Sequence, residues 1–453
     1  MAKAKSNSKK ITLEESLVPV EEQPYEVPEN WCWVKHNSIL DISGGSQPAK
    51  SHFITEPREG YTQLYQTRDY GEHPIPVYIP NKYATKTTCE GDILLARYGG
   101  SLGKVFRAHD GAYNVALTKV IKIYPELIDD EFLYKYYLSQ FYQNFCIKAS
   151  NGRSAQAGFN RDDMNSLPFP LPPLAEQKRI VDQIESLFSK LDEANEKARE
   201  VIDRIETNIE AILYNAFSGK LTQYWRKENG VDYNWEKSTL SKIVSGLKYG
   251  SSEKSDYNNN GTPVLRIPNI GEGVIDFSDL KYMQGELENS SHEVFENDIL
   301  IIRSNGSRDL VGKCAIVPAL ERRFAYASFL IRIKASDKVL PNYLVRYINS
   351  SMARGQLFAK AKSSSGIHNI NSKELGSIRI DVPTIEEQTE ILKIIEPLIK
   401  KELDVKDITS HMIENIAELK KSILAKAFRG ELGTNVSLEE SSIELLKKTI
   451  EEG

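Results

Sequence analysis

The sequence predicts an α+β protein in which two globular modules alternate with two long helices, and the helices fold back on one another as an antiparallel coiled coil with an internal pseudo-twofold repeat. Three observations carry this reading. The segment LPPLAEQKRIVDQIESLF from Leu171 returns as VPTIEEQTEILKIIEPLI from Val382, which sets Glu176-Gln177 over Glu387-Gln388, 211 positions apart. The register then holds without a gap, since AILYNAFSGKL from Ala211 meets SILAKAFRGEL from Ser422 with the same 211-residue offset. Self-similarity at a fixed period marks a duplicated structural unit. Apolar residues also recur at helical spacing along both copies, and each copy follows a stretch of short β-like runs with one helical run before its end.

Taken in order, the chain divides into an N-terminal arm 1–24, a globular module 25–170, a helical segment 171–226, a second module 230–381, a second helical segment 382–432 and a tail 433–453. In the first module the β-like runs are Val77–Ile79, Ile93–Ala96 and Val120–Ile123, and Glu131–Cys146 is helical in pattern. In the second they are Val264–Ile267, Ile299–Ile302 and Leu330–Ile333, with a helix over Pro341–Leu357. GDILLARYGGSLGKV from Gly91 resembles NDILIIRSNGSRDLVGKC from Asn297, setting Arg97 over Arg303, and Trp33 and Trp235 lead into similar apolar runs.

The first helical segment carries a seam of Ile180, Ile184, Leu187, Leu191, Ala194, Ala198, Val201, Ile205 and Ile212, closing on Phe217. Pro172-Pro173 gives an extended lead-in and Gly219 a C-terminal stop, so the helix runs about 40 residues, or about 60 Å. The second carries Ile391, Ile395, Leu398, Val405, Met412, Ile416, Leu419 and Ile423 and closes on Phe428; Glu402 and Thr409 fall on its seam, and Pro397 predicts a kink or break. Neither stripe can stay bare in water, and the duplicate is the obvious partner, the alternative being two separate dimerisation helices.

Forty per cent apolar and 27% charged residues describe an ordinary globular chain. No apolar run approaches the ~18 residues of a membrane span, and MAKAKSNSKK lacks the apolar centre of a signal peptide, so the expected location is cytoplasmic, with no membrane partner. The four cysteines form no CxxC pair and the histidines no metal-spaced cluster, so no metal, disulfide framework or cofactor is expected. Net charge is −5, which alone argues against a nucleic-acid partner, but residues 29–165 are neutral and 230–380 carry +4, while both helical segments and the tail are acidic.

Within the modules, four glycine-flanked loops gather nucleic-acid chemistry: RYGGSLGK with Arg97, Ser101 and Lys104; NGRSAQ with Arg153 and Gln156; RSNGSRDLVGK with Arg303, Asn305, Arg308 and Lys313; and KSSSGIHNIN with Lys362 and Asn369. Arginine and lysine take guanine edges, asparagine and glutamine take adenine, and serine and backbone amides suit phosphates. Catalytic patterns are missing. Gly99–Lys104 fails the phosphate-loop pattern at Tyr98 and Val105, there is no GxSxG elbow, and the tetrapeptide by which amino-methyltransferases grip a flipped base does not occur. No catalytic site is expected.

PLPPLAEQKRIV and AFSGKLTQYWR in the first helical segment, EEQTEIL and KSILAKAFRGEL in the second, and GDILLARYGGSLG and NDILIIRSNGS in the modules resemble the specificity (S) subunits of type I DNA restriction–modification systems. The resemblance runs from about Glu26 to Leu432. It implies that the modules are target-recognition domains, each reading half of a split, asymmetric site in double-stranded DNA, and that the helices space them. It also implies two methyltransferase (M) subunits, which bind S-adenosylmethionine and methylate adenine at N6, and restriction (R) subunits that translocate and cleave. The seam residues from Ile180 to Phe428 are then helical spacer and subunit interface. Two departures stand out: Val382-Pro383-Thr384 replaces the double proline, and copy two ends ELGTNVSLEE where copy one continues LTQYWRKENG. The competing reading is a structural scaffold joining two protein-binding modules through paired helices, with no DNA role.

Overall fold

The computed structural model describes residues 11–151, 158–258, 260–284, 287, 290–360, 362–364 and 367–452. The chain falls into two compact units, Met1–Lys197 with Met412–Gly453, and Ala198–His411. Each combines one module with part of each long helix. The first long helix spans Leu174–Phe217 and the second Ile385–Ala427, and Gly219 and Gly430, both at φ 73°, follow their ends at matching positions.

In the first unit, the strands Leu40–Gly44, Leu117–Lys122, Ile93–Ala96 and Val105–Arg107 form one antiparallel sheet in that order. A second sheet holds Tyr78–Pro80, Tyr61–Tyr65, Gly111–Tyr113 and Thr87–Thr88. The helix expected over Glu131–Cys146 is two, Asp130–Leu138 and Gln140–Asn151, parted at Ser139, which is extended at φ −69°, ψ 152°. The second unit repeats this, with Pro341–Asn349 and Ser351–Lys360 parted at Ser350. Its main sheet orders Val244–Tyr249, Leu330–Ala335, Ile299–Ile302, Cys314–Ile316 and Gly273–Val274. Where the sequence predicts the β-like run Val264–Ile267, the strand is Gly261–Leu265, followed by a 3-10 turn at Ile267–Asn269.

Antiparallel pairing of the long helices is visible inside each unit. In the first, Lys420 meets Asp192 while Leu424, Ala427 and Phe428 join Ile180 and Ile184 in one core. In the second, Lys406 pairs with Glu206 at 3.2 Å and Asn208 donates to Glu402 at 3.2 Å. The expected break at Pro397 is absent. Its ring removes one helical donor, but Ile391, Ile395 and Ile399, all buried in the second unit's core, hold the turns on both sides.

The heptad seam needs correction. Ile180, Ile184, Ile205, Phe217, Ile391, Ile395, Ile416 and Phe428 are buried, and Leu187, Leu191, Ile212 and Ile423 are half-buried. Val201, Leu398, Val405, Met412 and Leu419 are instead exposed. A straight α-helix turns every 3.6 residues, so a strict seven-residue pattern drifts about 20° per heptad from the contact line. The line actually used runs Ile391, Ile395, Ile399, Thr409, Ile416 and Leu424, and Leu213 replaces Ile212 on the other helix.

The repeated Glu-Gln pair fastens each module to its helix. Gln177 donates to the Leu127 and Pro172 carbonyls at 2.8 and 3.0 Å and accepts from the Asp129 amide at 2.9 Å. Gln388 does the same with Lys338, Pro383 and Leu340. Glu176 accepts from Trp31 Nε1 at 2.7 Å and Glu387 from Trp235 Nε1 at 2.9 Å. Strand register makes the same match, pairing Cys32 with Leu171 and Glu236 with Val382, so the counterpart of Trp235 is Trp31 and not Trp33. The remaining partners differ. Glu387 is paired with Arg226 and bonded by Thr222 at 2.6 Å, both supplied by the LTQYWR extension, where Gln223–Asn229 is helical. Glu176 has Asn435 at 2.7 Å from the tail, which is not loose: Ser442–Glu452 is a helix whose Leu446 and Ile450 enter the first unit's core, and Arg179 grips Glu439 through two 2.8 Å bonds.

His36, fully buried beside the Tyr137 hydroxyl at 2.7 Å, has its pKa pulled down to about 3 by burial, with Asp41 opposing. An unfolded histidine titrates near 6.5. The unfolded chain therefore binds the extra proton first, and this residue's share of stability is present above about pH 6.5 and is lost as pH falls from there toward 3, by about 1.4 kcal/mol per pH unit. His36→Gln should flatten that part of the stability profile of the first unit, measured by unfolding between pH 4 and 7.

Candidate nucleic-acid interface

Each module places an arginine at the end of its central strand. The strand Ile299–Ile302 is buried at every position, and the next residue, Arg303, is half-exposed where the sheet ends. Its backbone is held on both sides: its amide donates to the Phe329 carbonyl at 3.0 Å and its carbonyl accepts from the Ile370 amide at 2.8 Å. In the first module Ile93–Ala96 is likewise buried throughout, and Arg97 donates to Ala116 at 3.0 Å and accepts from Phe159 at 3.1 Å. Phe159 and Ile370 are 211 residues apart, and Asn160 and Asn371, one residue on, each cap a short helix with a reciprocal carboxylate bond. The candidate arginine and its facing loop are thus one element made twice.

In the second module that element is a small sheet. Ser304–Asn305 pairs with Ile367–Asn369, which pairs with Lys362–Ser364; Ser304 faces Asn369, Asn305 faces His368, and Lys362 faces Asn369. Four residues from two distant loops, Arg303, Asn305, Lys362 and Asn369, are brought together. The Asn305 carboxamide oxygen accepts from the Ser307 amide at 2.7 Å, which fixes its plane. Arg303 Nε donates to the Ser328 carbonyl at 2.7 Å, its Nη1 lies 3.5 Å from Asn369 Oδ1, and its guanidinium sits 4.8 Å over the Tyr249 ring. Arg308 is exposed and stacks on Phe358 at 5.0 Å.

Lys313 is placed differently. It lines a cavity of about 510 Å³ with Glu206, Glu210, Asp309, Arg346 and Arg354, within the second unit and against its helices. Burial lowers the Arg354 pKa, with Asp309 opposing. The lining mixes acidic and basic side chains, so Lys313 faces carboxylates as well as other cations there. In the first module, Gly99–Ser101 forms a 3-10 turn after Arg97, the Lys104 amide closes on the Ser101 carbonyl at 3.0 Å, and Lys104 is exposed. Arg97 lies 5.6 Å over Tyr98, with its Nε buried and unbonded among the described residues. Arg153 and Gln156 lie outside the described residues, as does the side chain of Lys362.

Ser328 and Ser372 carry no signal in the sequence, and Tyr249 carries only a weak one. Tyr249 follows Lys248 in the kind of basic-aromatic dipeptide common along this chain, and only the fold brings it to a residue 54 positions away. Among the described residues no group of three or more His, Cys, Asp or Glu is placed to hold a metal ion, and no helix is long and apolar enough to cross a membrane.

Comparison with known proteins gives consistent results. The family model described as the type I restriction modification DNA specificity domain matches residues 28–204 and again 233–414. The chain is 28% identical over 455 aligned positions to the type I restriction enzyme EcoKI specificity subunit of Escherichia coli (strain K12), covering 93% of this chain and 95% of that one. It is 25% identical over 431 positions to the StySPI specificity subunit of Salmonella potsdam, covering 90% of each. A solved chain from work on the assembly and conformational transition of the type I restriction–modification system shares its fold, with a TM-score of 0.68 at 21% identity over 90% of this chain and all of that one. With the same family domain matched twice, once on each module and the helix that follows it, the chain belongs to the type I restriction–modification DNA specificity family.

Proposed function

We propose that this chain is the non-catalytic DNA-recognition subunit of a type I restriction–modification complex, working in the cytoplasm. Residues 25–170 and 230–381 each read one half of a bipartite, asymmetric duplex target. Residues 171–226 and 382–432 set the spacing and dock two adenine-N6 methyltransferase subunits, and restriction subunits join that assembly. The observation that carries this reading is the arginine at the end of the central strand, held by the same two backbone bonds in both modules while the residues around it differ. One scaffold with two different reading surfaces fits a target whose halves are unlike. Arg97, Ser101, Lys104, Arg153 and Gln156 form the first surface; Arg303, Asn305, Arg308, Lys362 and Asn369 the second, with Lys313 at its helix-facing margin. Exposed Leu398, Val405 and Ile408 in one unit, and Met412 and Leu419 in the other, offer apolar contact for partner helices.

The test is reconstitution with the methyltransferase subunits and mapping of methylated adenines. A split motif with two unlike halves is expected, and an undivided or palindromic motif overturns the reading. Arg97→Ala and Arg303→Ala should each weaken duplex binding by about 1–3 kcal/mol and relax the motif in one half only. Unchanged binding and motif in both variants would remove these residues from the interface.

A further inference from the structure

Arginine can meet DNA as a phosphate clamp in almost any orientation, or as a base reader in one plane. A guanine edge offers O6 and N7 side by side and demands a guanidinium held coplanar with the base, whereas a phosphate accepts charge from many directions. The environment of Arg303 fixes that plane. Nε is committed to the Ser328 carbonyl at 2.7 Å, and the guanidinium carbon lies over the Tyr249 ring, 4.8 Å from its centre. The ring is itself anchored, because the Tyr249 hydroxyl accepts from the Ser372 amide at 2.9 Å and lies 3.2 Å from Ser372 Oγ. Ser372 begins the short helix capped by Asn371, so the platform is tied to the loop that carries Asn369. Among the described residues the terminal nitrogens of Arg303 have one polar neighbour, Asn369 Oδ1 at 3.5 Å. A side chain whose inner nitrogen is bonded and whose guanidinium lies over an anchored ring, with a single long contact at its outer edge among the described residues, is built to present that edge.

Resting on the DNA-recognition reading above, we propose that Arg303 reads a guanine in the half-site of the second module, and that Tyr249 is the positioning residue that fixes the plane of its guanidinium. Arg97 lacks this arrangement: its ring contact is to the adjacent Tyr98 at 5.6 Å, and no carbonyl holds its Nε among the described residues. The inference therefore concerns the second module alone. Lysine at 303 would keep the charge but not the fork, so sequence preference and affinity should separate.

The experiment uses the full chain in complex with its methyltransferase subunits on a random-sequence duplex library, with preference read at each position from the methylated products. Wild type should show a guanine in the half-site of the second module. Arg303→Lys should reduce preference for that guanine about tenfold or more, leaving the other half-site intact. Tyr249→Leu should weaken the same guanine several-fold, and Tyr249→Phe, which keeps the ring but loses its anchor on Ser372, should fall between Tyr249→Leu and wild type. A merely structural role for Tyr249 would instead lower methylation at all positions together. If Arg303→Lys leaves every position unchanged, or relaxes a position that is not guanine, the inference is overturned, and should Tyr249→Leu fail to fold, the Arg303→Lys and Tyr249→Phe results still decide it. A wild-type complex that yields no split motif strikes the proposed function instead.

Discussion

Glu387→Gln should destabilise the second unit by about 3–5 kcal/mol, whereas Glu176→Gln, the matching change in the first, should cost no more than about 1 kcal/mol. Both glutamates are buried and both bind a tryptophan indole. The difference is the cation. Arg226 is buried with Glu387, also donates to the Gly219 carbonyl at 2.6 Å and lies 4.8 Å over Tyr233. Neutralising its carboxylate strands a guanidinium in the interior, and removing one partner of a buried pair costs far more than the pair contributes net. Glu176 is held by Trp31, Asn435 and, at 3.4 Å, Thr434, while the nearby Arg179 is committed to Glu439. Burial raises the Glu176 pKa against those hydrogen bonds. The folded state thus holds that proton more tightly than the unfolded chain, so its contribution favours folding at low pH and fades as pH rises through the raised value. A glutamine there keeps an acceptor for Trp31 and removes the dependence. Hydrogen exchange resolved by unit measures both effects; equal losses in the two variants would contradict the asymmetry.

Phe428→Ala and Phe217→Ala should each cost about 3–5 kcal/mol, each within its own unit. Phe428 packs 5.2 Å from Phe132 and 5.6 Å from Tyr136, and Phe217 packs 5.2 Å from Tyr343 and 5.1 Å from Tyr347. These are the same three-ring cluster, offset by 211 residues at every member. It joins the end of one long helix to the helix Asp130–Leu138 or Pro341–Asn349 of a module, so the deletion leaves a cavity that neither rigid helix can collapse into. Exchange protection should fall across the helix Asp130–Leu138 in the first variant and Pro341–Asn349 in the second. Losses confined to the mutated helix end would show that the cluster does not couple the two.

Much of this was legible because duplication writes the same physics twice. The strands Ile93–Ala96 and Ile299–Ile302 appear where the apolar runs stand, and the Gly219 stop is used. What was missed shares one cause, since it depends on contacts far apart in sequence. Ser139 and Ser350 part helices that read as continuous, Pro397 is tolerated because three isoleucines around it are buried, and the heptad line drifts off the true seam by Leu398. Arg303 could be named from its loop, but not the Tyr249 platform or the Ser328 carbonyl that give it a plane. Arg153 and Gln156 remain a sequence-level proposal.

The first unit is discontinuous, closing only when residues from Met412 onward join those before Lys197, while the second is one uninterrupted stretch, Ala198–His411. On the ribosome this inverts the order of synthesis. The second unit has all of its core as soon as His411 emerges, but the first must wait for Phe428, Leu446 and Ile450. At about 5–20 residues per second, the stretch from His411 to Ile450 takes about 2–8 s. Of the two, the module translated first is therefore the later to mature, and a nascent chain stalled before the helix Ser442–Glu452 would carry a finished second unit and a first one still open to chaperones and proteases.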